Sequence, residues 1–315
     1  MFQRNRRLER PSPFSKTSAR KERTMKKLYS NKLVIFSLVL PGVLVFLFAV
    51  LAPICLSVYY GFTDYTGMGQ ANLIGWGNYA KLMHDSAFGR SLKNSLLLAI
   101  GFICIQHPLA ILVAAVLDKL QGKAEGIFRC IYFIPNVISV AVIAYLWKFI
   151  YNPDFGLLNN VLKAFGYQGQ INWLSQQNAI WSVLIVLIWH GFGWGMLIYY
   201  TGIKNIDPVL YEAASIDGAN WWTTFFRITL PLMKPVIQIN VTMAIISALK
   251  QMETVYLLTN GGPNNSTQFA ANYLYQQAFK AFKYGYGNAI GVVFIIICVL
   301  VTVVLNRIFK EKQDA

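Results

Sequence analysis

The sequence is poor in charge, in histidine and in paired cysteine. Asp, Glu, Lys and Arg together make up 13% of its 315 residues, against roughly 25% in an ordinary soluble domain. A surface that meets water on all sides needs more. The 13 acidic residues form no paired cluster of the kind that carries carboxylate chemistry, and the three histidines include no H-E-x-x-H. No G-x-S-x-G elbow occurs either, which removes the common hydrolase readings. The absence of G-x-x-x-x-G-K-[ST] means that the chain does not cradle ATP itself; Gly191, Gly193 and Gly195 lie in an apolar run and lack the lysine. Cys55, Cys104, Cys130 and Cys298 stand singly, without CxxC or Cys/His ligand spacing. Neither a zinc site nor a disulfide framework is indicated, and these cysteines read as small buried hydrophobes. No metal or other cofactor is expected.

What the chain has instead is apolar length. Hydrophobic residues make up 56% and mean hydropathy is +0.45. The apolar residues come in blocks of about the 20 that a helix needs to cross a hydrocarbon core. The blocks cover roughly 33–62, 92–117, 127–150, 180–203, 236–258 and 288–308. They predict an all-α integral membrane protein with six transmembrane helices, occupying residues 33–309. The first block is too long for a signal-peptide core and reads as a retained span, with Pro41 and Pro53 inside it. Gln106-His107-Pro108 interrupts the second block and Pro135-Asn136 the third; polar groups there should face the bundle.

The net charge of +15 is concentrated at one end. Eleven of the 28 basic residues precede Leu33, which is an orientation signal rather than a nucleic-acid surface. No basic helix interleaved with aromatics follows, so no nucleic-acid partner is expected. Residues 1–32 are expected to form a disordered cytoplasmic arm, and residues 310–315 a cytoplasmic tail. Met25, followed by Lys26 and Lys27, is a possible alternative start, which would make the first 24 residues dispensable. Alternate connections hold 20 and seven basic residues, with Lys250 inside the fifth block. The richer side includes both ends of the chain and loop 204–235, so both termini are expected in the cytoplasm.

Loop 204–235 is the most ordered connection in the sequence. Asp207 reads as an N-cap and Pro208 as the first helical residue. Glu212 and the small pair Ala213-Ala214 continue the helix, and Gly218 ends it in the left-handed conformation. A second short helix is expected to carry Trp221, Trp222, Phe225 and Phe226, broken by Leu230-Pro231 and Pro235. Small residues permit close approach and aromatics anchor, so the hairpin reads as a docking surface.

Glu212, Ala213, Ala214, Asp217, Gly218, Ala219, Phe225, Ile228, Leu230, Pro231 and Pro235 fill every fixed position of a known pattern. The segment resembles the EAA loop of the permeases of binding-protein-dependent ABC importers. Thr259-Asn260-Gly261-Gly262-Pro263, Phe128-Arg129 with Pro135, Gly156-Leu157-Leu158-Asn159 and Trp173-Leu174 are similar to the carbohydrate, maltose-like branch. Asp207-Pro208 departs from the family's usual Ile-Pro. The resemblance implies a type I importer permease in the bacterial cytoplasmic membrane, without an ATPase site of its own. It implies a second permease subunit, two ABC ATPase subunits docked on the EAA loops and an extracytoplasmic solute-binding protein, with lipid around the spans. Glu212, Ala213, Ala214, Asp217, Gly218, Ala219, Phe225 and Pro231 are then the ATPase-coupling residues, and the solute is a sugar or sugar-like molecule.

Polar and aromatic groups inside the fourth and fifth blocks are the solute-pathway candidates. The resemblance aligns Trp194 with an aromatic contact position and Gln251 with a side-chain amide position. His190, Gly191 and Ser247 are further candidates. Each has a plainer reading: the glycines as helix-packing positions, His190 as a hydrogen-bonded bundle residue. Lys250 and Glu253, at i and i+3, are expected to form an ion pair on one helix. Competing functions are an importer permease for another solute class, such as a glycerol phosphate or modified sugar, and a secondary transporter. The latter calls for inverted repeats and intramembrane acids, and only Glu253 lies near a span.

Overall fold

The computed structural model describes residues 32–120 and 122–310, with side chains through Arg307. The arm expected over 1–32 and the tail expected over 310–315 fall almost wholly outside the described residues. The described chain is helical, and an isolated bridge pairs Thr63 with Leu73.

The helices are α1 Lys32–Gly61, α2 Gly77–Met83, α3 Ser86–Leu117, α4 Lys123–Val137, α5 Val140–Ile150, α6 Leu157–Ala164 and α7 Ala179–Lys204. There follow α8 Pro208–Ile216, α9 Trp221–Leu232, α10 Lys234–Leu249, α11 Glu253–Leu258, α12 Ala270–Tyr275 and α13 Tyr284–Lys310. Four of them, α1, α3, α7 and α13, are long and apolar enough to cross a membrane. The count reaches six if two bent pairs, α4 with α5 at 97° and α9 with α10 at 69°, are one span each.

Proline shapes three of these helices in the same way. A proline inside a helix removes one N–H and crowds the carbonyl four residues back. In α1 a π-turn at Leu47–Leu51 ends two residues before Pro53. In α3 one at Phe102–Gln106 ends two before Pro108, and in α9 one at Phe225–Thr229 ends two before Pro231. The widened turn relieves the ring's clash and the helix continues. The break expected at Leu230-Pro231 is therefore not at the proline; the chain bends at Met233, between α9 and α10.

Two further expectations are corrected. The third span breaks at Ile138-Ser139 rather than at Pro135-Asn136; Ser139 caps α5, its Oγ accepting from Val142 N at 3.4 Å. The fifth breaks at Lys250-Gln251-Met252. Lys250 and Glu253 thus end one helix and begin the next, lose their i,i+3 geometry, and form no ion pair among the described residues.

The described residues up to Tyr59 form one compact unit and those from Tyr60 a second. In the second, α7 packs against α3 and α4. Ala110, Ala114 and Ala115 of α3 let the backbones approach, which is how apolar helices associate without a hydrophobic drive. Gly193 does the same for α4, since a Cβ there would lie 2.1 Å from the Tyr132 carbonyl. One buried cluster centres on Leu98, Ile143, Val183, Leu187 and Ile245. Another, toward the α8–α9 end of the bundle, holds Met196, Tyr199, Phe225 and Met233.

Candidate functional site

The α8–α9 hairpin is built by local capping. Asp207 Oδ1 accepts from Val209 N at 3.0 Å, with Pro208 as the first helical residue. At the other end Gly218 has φ +71°. Its N–H bonds the Ser215 carbonyl at 3.1 Å, and Ala219 N–H bonds the Ala214 carbonyl at 2.9 Å. These two bonds are the Schellman arrangement, which requires the left-handed residue between them. Asn220, which the sequence reading passed over, opens α9: its Oδ1 accepts from Thr223 N at 2.8 Å. A polar residue of this type just before an aromatic run was the available signal.

The aromatic residues divide between anchor and surface. Phe225 is buried, with Trp221 stacked on it at 5.4 Å. Trp222 and Phe226 stack on each other at 6.1 Å and remain more than half exposed. Tyr211 of α8 meets Thr229 in the π-turn of α9, hydroxyl to hydroxyl at 3.1 Å. Burial pushes the Tyr211 phenol above its ordinary pKa, a shift the Thr229 bond partly opposes. Lys119 lies over the Tyr211 ring, and Lys204 pairs with Asp118 at 2.9 Å. The Lys119 contact ties the hairpin to the end of α3, the Lys204–Asp118 pair joins the ends of α3 and α7, and Phe225 packs in the cluster that holds Tyr199 and Ile203 of α7.

Between α8 and α9 runs a groove of about 580 Å³. Ala213, Ala214, Gly218 and Ala219 are among its lining, as are Asp217 and Arg227. Glu212 and Ile216 are exposed beside it. Of the expected coupling residues, Ala213, Ala214, Asp217, Gly218 and Ala219 come together at this groove. Phe225 and Pro231 do not line it: Phe225 is buried in the bundle cluster and Pro231 is exposed in α9.

The solute-pathway candidates are more dispersed. Gly191 faces α3: Gln106 Nε2 donates to its carbonyl at 3.2 Å, and a Cβ on Gly191 would lie 3.2 Å from Gln106 Oε1. His190 is half-buried, Trp194 is 57% exposed, and Ser247 is exposed on α10. Gln251 lies in the non-helical break between α10 and α11. The structure does not join Trp194 to Gln251 by any hydrogen bond. The buried polar centre of the bundle is elsewhere, where His107 Nδ1 meets the Tyr199 hydroxyl at 2.7 Å, one residue from Gln106.

The described residues thus make an apolar helical bundle with a helical hairpin at one end. Residues 106–313 match the family described as binding-protein-dependent transport system inner membrane component, and the chain belongs to that family. It is 36% identical over 288 residues to YurN of Bacillus subtilis (strain 168), a probable ABC transporter permease protein, covering 90% of this chain and 98% of that one. It is 32% identical to MsmF of Streptococcus mutans, a multiple sugar-binding transport system permease protein, covering 83% and 90%. LacF of Rhizobium radiobacter, a lactose transport system permease protein, is 31% identical, covering 79% and 85%. Among solved structures, a chain of a bacterial alginate ABC transporter, crystallised with its alginate pentasaccharide-bound periplasmic protein, superposes with a TM-score of 0.79. That match has 23% identity and covers 92% of this chain and 96% of that one. The chain is thus a permease subunit of a binding-protein-dependent ABC transporter.

Proposed function

We propose that this permease imports a sugar or sugar-like solute across the cytoplasmic membrane, energised through the α8–α9 hairpin by separate ATPase subunits. The observation that carries the reading is the groove beside Ala213, Ala214 and Gly218, held rigid by two caps and tied to α3 and α7. A rigid hairpin joined to α7 and α10 can turn closure of an ATPase pair into movement of those helices. Relatives named for multiple sugars, lactose and diacetylchitobiose support the sugar class. In this reading α4 with α5 is one span and α10 with α11 is another, giving six, while α9 stays in the cytoplasmic hairpin. A second permease subunit completes the pathway, and an extracytoplasmic binding protein delivers the solute. Both termini and loop 204–235 face the cytoplasm, as the distribution of Lys and Arg implies.

The experiment has two arms. In a protein freed of its four cysteines, Asp217→Cys should resist an impermeant maleimide in intact cells and react in inside-out vesicles. Labelling in intact cells refutes the orientation. Gly218→Trp should abolish solute uptake and weaken co-purification of the ATPase subunits. Normal uptake with normal assembly refutes the coupling role.

A further inference from the structure

Helix α6 presents three faces. Leu158 packs inward against the bundle's apolar cluster. Asn160 and Lys163 form a polar exposed face, while Leu157 and Val161, with Phe165 just beyond the helix, line an apolar one. Nothing about that apolar face is loose. Asn159 is buried; its Nδ2 donates to the carbonyls of Pro153 and Ile171 at 3.0 and 2.9 Å. Its Oδ1 accepts from Trp173 Nε1 at 3.2 Å and Ile171 N at 3.3 Å. Four bonds from one side chain set the rotation of the helix. The C-terminus is fixed too: Gly166 has φ +90°, and Tyr167 N–H bonds the Leu162 carbonyl at 3.0 Å. Phe165 is consequently held outward, 87% exposed.

A fixed apolar face in water is disfavoured, and aromatic side chains carry roughly 150–250 Å² each. Phe149, Phe155 and Phe165 are each at least 60% exposed, apolar surface that calls for a cover. Its setting says which. The exposed surface of α5, through Val142, Tyr145, Leu146 and Phe149, belongs to an apolar bent pair fit to span a membrane, and Phe149 meets Phe155 at 6.4 Å. Apolar surface therefore continues from α5 onto α6. Lys148, over the Tyr145 ring, and Lys163 border it, as basic and aromatic side chains do where hydrocarbon gives way to headgroups. At eight residues α6 is about 12 Å long, too short to cross the bilayer but suited to lying along its boundary.

We propose that α6 is an interfacial helix seated in the outer leaflet of the membrane. Leu157, Val161 and Phe165 lie among the acyl chains, and Lys148 and Lys163 lie at phospholipid headgroups. The choice of outer leaflet rests on the cytoplasmic placement of loop 204–235; the seating in lipid does not. α6 then anchors the segment that carries Asn159 and Trp173, fixing the depth of α5 and of the start of α7.

The test uses the assembled transporter in phospholipid vesicles, with nitroxide labels on single cysteines in the cysteine-free protein. Labels at Phe165→Cys and Val161→Cys should collide freely with oxygen and little with a water-soluble nickel chelate. A label at Lys163→Cys should show the reverse, so that the oxygen-to-nickel ratio differs several-fold between 163 and 165. Equal, water-like values at 161, 163 and 165 overturn the proposal. Low collision with both reagents at 161 and 165 also overturns it, because it means that another protein subunit covers the face. Adding the chelate to one side of the vesicles, in preparations of known orientation, separates an error of sidedness from an error of seating.

Discussion

Asp85 and Tyr273, 188 residues apart, meet at 2.6 Å, the phenol donating to Oδ2 of the carboxylate. Tyr286 donates to the same oxygen, while Oδ1 caps α3 by accepting from Ala87 N and Phe88 N at 2.9 and 3.2 Å. One side chain thus joins the starts of α3, α12 and α13. Burial works to raise the Asp85 pKa, but the two phenols and the two N–H groups outweigh it and hold the carboxyl below its usual value.

A depressed carboxylate pKa stabilises the fold at pH values above the unfolded value, near 4. That contribution is lost as pH falls through the lower folded value. In detergent at pH 7, Asp85→Asn should therefore melt below the wild type. The gap should narrow as the pH is lowered past about 4, and close once the wild-type carboxyl is protonated. A gap that stays constant over that range refutes the role of the charge.

The hairpin's glycine can be tested by conformation rather than by bulk. A Cβ on Gly218 would meet nothing within 4 Å, so only its positive φ disfavours a side chain. Gly218→Asn should retain most uptake, because asparagine tolerates the left-handed region. Gly218→Val should lose it, at a conformational cost of about 1–2 kcal/mol. Asp207→Ala should weaken the hairpin by about 1 kcal/mol, seen as faster proteolysis of loop 204–235 with the spans intact. Equal uptake by the Asn and Val variants argues against a Schellman cap.

Gly193 and Gly195 should differ sharply although two residues apart. An added methyl at 193 would meet the Tyr132 carbonyl at 2.1 Å, whereas at 195 its nearest neighbour is 3.8 Å away. Gly193→Ala should lower stability by about 1–3 kcal/mol, and Gly195→Ala should leave it nearly unchanged. Melting temperatures of the two purified variants decide it.

Trp194→Ala and Gln251→Ala should each reduce uptake about ten- to a hundredfold at limiting solute if those side chains contact it. Assembly with the ATPase subunits should be unaffected. If both variants transport like the wild type, neither side chain contacts the solute.

The parts of this fold that were legible in the sequence are those with local causes. Asp207-Pro208 and Gly218 each act within three residues, and the structure has the caps at those positions. The polar step Gln106-His107 was legible because a hydrophobic block makes its exceptions conspicuous, and both residues are buried in the bundle. What was not legible depended on neighbours. No glycine or proline marks the break at Lys250-Gln251-Met252; α11 leaves the axis of α10 where it packs against α5. The four bonds of Asn159 and the meeting of Asp85 with Tyr273 depend on chain segments that periodicity cannot align. The solute candidates share that difficulty, since Trp194 and Ser247 are exposed in the single chain and periodicity does not say what faces them.

In the coupling proposed above, the 69° bend at Met233 would set the leverage of the hairpin on α10. Met233 is buried, and Gly202 of α7 leaves room for it: a Cβ there would lie 2.8 Å from the methionine methyl. In that coupling the thioether would be the point about which α9 and α10 turn together. α10 extends 16 residues from it, about 24 Å at 1.5 Å per residue, so a rotation of roughly 10° at Met233 sweeps the far end through about 4 Å. That end is Leu249, adjoining the unwound Lys250-Gln251-Met252. A small tilt of the hairpin would then become, at the break, a stroke wider than a water molecule. A bulkier residue at 202 would jam that point and leave both ends intact but disconnected.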